Sequence, residues 1–242
     1  MTRIIPEPDL ERLSPDVLRK MLAAGDEINE CYRVLRKGGL NVVGEVLKGN
    51  GQFVELNHYP PGDVYDRDSH AQYYYHAHRE DEHGHFHTFL RAKGMPLGAQ
   101  PVPEAATKDW PKGSDALAHL VAISMEKKGY PIRLFTTNRW VTGETWYPAR
   151  EIKRMLGLFA IDHAYPSWPT NRWITAMIRL FRPQIEALVD ARDVEMRAHA
   201  LAEPEVDLYE DRNFEVISEI EIDVDRQLER VAAALAAAEA TA

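Results

Sequence analysis

The chain concentrates its imidazoles. Seven of its ten histidines fall between His58 and His87, within a sequence of 242 residues. The densest run, H-A-H-R-E-D-E-H-G-H-F-H over 76–87, constrains the fold more than any other stretch. Side chains alternate faces along a strand, so His76 and His78 project to one side, and so do His85 and His87. Glu80 to Gly84 reads as a turn, which predicts a β-hairpin with strands at 71–79 and 85–91. A two-residue turn at Asp81-Glu82, or a four-residue loop at Glu80–His83, sets His78 opposite His85 and His76 opposite His87. A four-residue loop ending at Gly84 shifts the register by two and keeps the face. A three-residue loop with Gly84 in a bulge puts the pairs on opposite faces. The even-length readings, preferred here, bring four imidazoles together.

Directly opposed Cβ atoms lie roughly 4.5–5.5 Å apart, and imidazole nitrogens bind zinc at about 2.0–2.1 Å. His76, His78, His85 and His87 are therefore candidate ligands for one divalent transition metal. Three imidazoles leave a position for water or substrate, whereas four close a tetrahedral site. Zinc and iron are the foremost cofactor candidates, and copper and nickel also suit imidazole. Glu80, Glu82, Asp63, Asp66 and Asp68 are candidate extra ligands or acceptors for imidazole N–H groups. Taken singly, His58, His70 and His83 read as hydrogen-bonded polar residues.

Two resemblances follow from these residues. His76 to Glu82, H-A-H-R-E-D-E, is similar to the H-x-H-x(3)-E element of cupin metal sites. That likeness implies two histidines and a glutamate as ligands, with a later histidine completing the set, His119 by order. The glycine that cupins place before H-x-H is missing. The stretches E-H-G-H-F-H (82–87) and T-N-R-W-V-T-G-E-T-W (137–146) together resemble an uncharacterised bacterial family of unknown function, which implies no activity.

The rest of the chain supplies a body for this segment. Residues 14–37 predict a helix, with Ser14 as N-cap, Pro15 in the first turn and Gly38-Gly39 at the end. Residues 40–48 read as a short helix or as a turn leading to a strand. Residues 57–69, with Pro-Pro-Gly and three aspartates, read as loop. Leu117–Met125 and Pro131–Thr137 form a second hairpin around a turn ending at Gly129, and Trp140–Tyr147 a short strand or ribbon. The last third reads as helical: 149–160, then Thr170–Leu201 split or kinked by Pro183, then 222–239. The predicted fold class is α+β, a central, mainly antiparallel sheet or small barrel flanked by N-terminal and C-terminal helices. One domain spans 1–242, with a helical segment 1–50, a β-rich metal-binding core 51–147 and a helical segment 148–242.

A second polar segment, 136–147, follows the apolar strand Ile132–Phe135. Arg139 presents a planar fork for a carboxylate or phosphate, and Glu144 is a candidate ligand or general base. With Glu82 they form the candidate catalytic set. The opposing reading is that Trp140 and Trp146 pack and that Arg139 and Glu144 form a surface pair. His119 is either a fifth metal-facing histidine or a residue at the core edge.

Composition narrows the function. A net charge of −9 without a basic run argues against nucleic acid or an anionic membrane as partner. Cys31, the only cysteine, can form neither an internal disulfide nor a thiolate cage and suits a reducing compartment. The N-terminus lacks the apolar core of a signal peptide, so the expected location is cytoplasmic. The apolar stripe after Thr170 is core or a homo-oligomer interface. The main expectation is a metal-dependent enzyme, an oxidoreductase or hydrolase, acting on a small molecule. The alternatives are a non-catalytic metal storage or sensing protein, or an accessory subunit with a structural metal.

Overall fold

The computed structural model describes residues 2–240. Its elements are, in chain order, β1 (Arg3–Ile4), α1 (Pro15–Lys37), α2 (Val42–Leu47), β2 (Tyr59–Tyr65), β3 (Ala71–His76), β4 (Gly84–Arg91), β5 (Leu117–Met125), β6 (Pro131–Thr137), α3 (Arg139–Thr142), α4 (Ala149–Leu156), α5 (Trp168–Leu180), α6 (Arg182–Ala202), β7 (Val216–Glu221) and α7 (Val224–Ala240). The strands form one sheet in the order β1-β7-β6-β5-β4-β3-β2, so β1 and β2 are its edges. Every neighbouring pair is antiparallel except β1 with β7. The fold is thus α+β, with a mostly antiparallel sheet.

Helix α1 starts where Ser14 caps it, the Val17 N–H donating to the Ser14 hydroxyl at 3.4 Å. Its apolar stripe, including Leu18, Met21, Ile28 and Leu35, is buried. Gly25 lets α7 sit close, since a Cβ there would fall 2.1 Å from Leu228 Cδ2. The long helical stripe after Thr170 divides at Phe181 into α5 and α6, with Pro183 in the first turn of α6. There the missing proline N–H costs no hydrogen bond.

Three regions depart from the sequence reading. Residues 59–65 form the edge strand β2, not loop. Tyr59 pairs with Tyr75 and Val64 with Tyr73, and the register shifts between them. An edge strand tolerates prolines that have no N–H to give. Residues 140–147 do not form a strand: α3 makes one helical turn, closed by Gly143 at φ +63°. The C-terminal third is not wholly helical, because β7 inserts between β1 and β6. The sheet therefore draws strands from outside 51–147.

The two faces of the sheet are covered differently. Tyr73, Tyr75, Phe86, Leu90, Val121 and Ile123 face the main apolar core, with Trp173 of α5 packed 5.8 Å from Phe86. The other face carries Tyr74, His76, His85, His87, Phe89, His119 and Phe135, joined ring to ring. A second, smaller apolar cluster gathers Trp110, Trp146, Tyr209 and Phe214.

Candidate metal centre

Strands β3 and β4 pair with His76 opposite His85 and Tyr74 opposite His87. The register lies two residues from the preferred one, so the histidines keep a common face while His78 falls beyond the end of β3. Gly84 is what lets β4 begin this close to β3. A Cβ there would lie 2.6 Å from the His76 carbonyl oxygen. The connection at 77–83 is pinned at its end, where the His83 N–H donates to the Met125 carbonyl at 2.9 Å and the His83 ring meets the Tyr75 hydroxyl at 2.8 Å.

His76, His85 and His87 are all buried, and each offers one ring nitrogen within 4.8 Å of the others. This group can hold a metal ion. His76 Nε2 and His85 Nε2 stand 2.7 Å apart. Two ligands on a tetrahedral zinc would stand about 3.3 Å apart at ordinary bond lengths, so a sub-ångström opening admits an ion.

The hydrogen bonds assign the tautomers. Glu82, whose side chain has no exposure, contacts His85 Nδ1. Burial raises the Glu82 carboxyl, but the His85 N–H, helped by Ser124 and Arg79, holds it below its usual range. Burial in turn keeps His85 neutral, against the pull of Glu82. A carboxylate only accepts, so His85 donates from Nδ1 and its Nε2 is bare, accepting from His76 Nε2–H. Carboxylate, imidazole and open nitrogen in series is the arrangement that orients a metal-bound histidine.

His87 has a comparable support. Its Nδ1 meets His119 Nε2 at 3.0 Å, and its buried Nε2 has no hydrogen-bond partner. His119 is thus neither a fifth member of the group nor a core-edge residue, but stands behind His87. It is held from behind in turn, its backbone N–H donating to Glu144 Oε2 at 2.7 Å. Burial pushes His76 down to about 2, with the neighbouring imidazoles adding to it, and His119 down to about 3. His87 lies well below the ordinary histidine range for the same reason. All are neutral at pH 7, the state in which imidazole binds metal.

The remaining predicted residues lie around this group. The His78 ring is 5.0 Å from that of His76 and 5.2 Å from that of His85. Glu144 is buried and receives a hydrogen bond from the Thr142 hydroxyl at 3.2 Å as well as the His119 N–H. Burial pushes it up to about 7, against the pull of Arg192 and of these donors. Arg139 is engaged elsewhere, paired with Glu210 and lying 4.8 Å from the centroid of Trp110. Asp66 receives the backbone N–H groups of Asp68, Ser69 and Asp162. Asp63 holds His58 Nδ1 at 3.1 Å and Gln72 Nε2 at 2.6 Å. His70 meets the Tyr65 hydroxyl.

The sequence reading named Glu82 as an acceptor for an imidazole N–H but missed the support behind His87. Glu144 and His119 are 25 residues apart, and a backbone donor leaves no signature in residue types. Among the described residues, no helix is long and apolar enough to cross a membrane. Neither the curated proteins nor the solved structures contain a match to this chain. A family model does match, over residues 22–222. The chain belongs to the family described as Domain of unknown function (DUF6969).

Proposed function

We propose that His76, His85 and His87 bind one divalent transition metal, zinc or iron first, and that the centre serves metal-dependent chemistry on a small molecule. The observation that carries this reading is the meeting of three buried imidazoles, each offering one ring nitrogen within 4.8 Å of the others, with His87 Nε2 lacking a hydrogen-bond partner. Behind them Glu82 touches His85, and its Oε2 has no hydrogen-bond partner. Arg79 helps to keep Glu82 charged, and a divalent cation bound through His85 would add to that support. Three protein ligands leave a position for water or substrate, where the metal would act as a Lewis acid or generate a nucleophile. Glu82 then orients His85, and Glu144 positions His119 behind His87. Arg139 serves the fold through Glu210 and Trp110.

The position of His78 favours a second reading. Its ring lies near enough to the group for a small movement of residues 77–83 to make it a fourth ligand. Such a closed site would be structural or would store metal.

The test is the metal content of untagged protein, measured by inductively coupled plasma mass spectrometry. The parent is expected to hold close to one metal per chain, and a folded His85→Ala/His87→Ala variant none. Equal, low content in both would remove the metal from the account. Loss of metal in His78→Ala as well, with a fall in melting temperature, would select the closed site.

A further inference from the structure

The three histidines are nearly closed off. His76 is 6% exposed, His85 1% and His87 not at all. What exposure remains belongs mostly to His76, so an ion reaches the group past the residues that cover that ring. Two further imidazoles flank it. The His78 ring lies 5.0 Å from that of His76, and the His58 ring 5.8 Å from it.

The two flanks differ in charge. His78 is followed by Arg79, whose positive charge acts on His85 and Glu82 and repels an arriving cation. His58 stands instead against Asp63, whose carboxylate takes its Nδ1 at 3.1 Å. The His58 side chain is 44% exposed, and its ring stacks on Tyr74 with centroids 3.6 Å apart and planes within 9° of parallel. The Tyr74 ring in turn lies 5.3 Å from that of His76 and 5.1 Å from that of His87. The stack fixes the plane of His58. The carboxylate accepts from Nδ1–H and leaves Nε2 bare. Glu82 pairs with His85 in the same way inside the protein, so the arrangement that orients a metal-binding imidazole is repeated at the surface.

We propose that the Asp63–His58 pair is an outer capture site, which takes a divalent metal from solvent through His58 Nε2 and passes it to His76. The proposal rests on the metal reading above. A station on the path changes uptake and release by the same factor and leaves the equilibrium where it was.

The experiment is stopped-flow uptake of cobalt(II) by the metal-free protein, read from the growth of its visible bands, with release into excess chelator measured afterwards. The variants are His58→Phe, which keeps the stack on Tyr74, His58→Ala, which opens the cover, and Asp63→Asn, since asparagine tolerates the left-handed backbone that Asp63 adopts at φ +60°. Folding of each is checked by circular dichroism. Both His58 variants are expected to load stoichiometrically with the parent's affinity and final bands, but about tenfold more slowly, the low end of what local charge and focusing give. Release should slow by the same factor, and Asp63→Asn should move both rates in the same direction by less. Unchanged rates in all three variants overturn the capture site while leaving the metal reading intact. Faster uptake by His58→Ala makes His58 a mere cover and also overturns it. Weaker binding with altered bands in both His58 variants makes His58 a resting ligand, which contradicts the proposal. Failure of the parent to load cobalt removes the metal reading and the capture site together.

Discussion

Strands β3 and β4 show one chemistry on one side and a different one on the other. Toward the helices, Tyr73 and Tyr75 pack against Phe86 and Phe86 against Trp173, and the Tyr73 hydroxyl donates to Asn171 of α5 at 2.7 Å. Toward the loops, the same strands bury His76, His85 and His87, with Glu82 against them. The first face is stabilised by apolar burial, which needs no ligand. The second buries groups that hydrogen-bond one another only in part and leave His87 Nε2 and Glu82 Oε2 unpartnered. Such groups weaken a fold unless something else engages them. The contrast separates the face that builds the protein from the face whose three histidines could hold an ion.

The difference can be broken from either side. The largest effect is expected on the helical face. Phe86→Ala should cost about 3–5 kcal/mol in urea unfolding, from lost burial and the cavity left. The cost should be the same with and without added zinc if the ion touches only the other face.

The next effect is one of pH. Burial raises Glu144 to about 7 from an ordinary 4.5. Its folded value exceeds its unfolded one, so its contribution is present below pH 4.5 and is lost as the pH rises toward 7. Glu144→Gln should therefore gain on the parent by roughly 3 kcal/mol between pH 4.5 and 7.5. The histidines act with the opposite sign. His76 and His119 are depressed to about 2 and about 3. Metal-free protein should keep their contribution above pH 6.5 and lose it progressively as the pH falls below that value. Unfolding followed from pH 4 to pH 8 in both proteins separates the two.

A smaller effect is expected on metal linkage. Zinc at one hundred times its dissociation constant should stabilise the parent by about 2.7 kcal/mol and leave His87→Ala unmoved. Stabilisation of both by the same amount would place the ion elsewhere. The least effect is expected at the point where the two faces meet the turn. Gly84→Ala forces a Cβ against the His76 carbonyl, which should cost about 1–3 kcal/mol and weaken zinc binding. A variant with unchanged zinc affinity would show that the close approach of β4 to β3 does not set the site.

Much of the histidine face was legible because a period of two ties H-x-H to one side of a strand whatever the register. The register itself was not. It depends on how many residues the chain spends between His76 and Gly84, and the sequence allows several numbers. The strand β2 was hidden by Pro60 and Pro61, which read as loop until an edge position is known. The strand β7 was hidden by its glutamates and by the helical patterns on either side. The polar segment at 136–147 shows the converse. Arg139 and Glu144 look alike as candidates in sequence, but the fold turns Arg139 to Glu210 and Trp110 and brings Glu144 behind His119. Residue type gave both the same standing, and only tertiary placement separates them.

The most direct test of the central claim is the position of the ion. Crystals of the zinc-loaded protein, measured on both sides of the zinc absorption edge, should show one anomalous peak. The account predicts that peak within bonding distance, about 2.0–2.1 Å, of one nitrogen each from His76, His85 and His87. A peak away from the group, as at the exposed His58, or none near the three histidines at full loading, would contradict it.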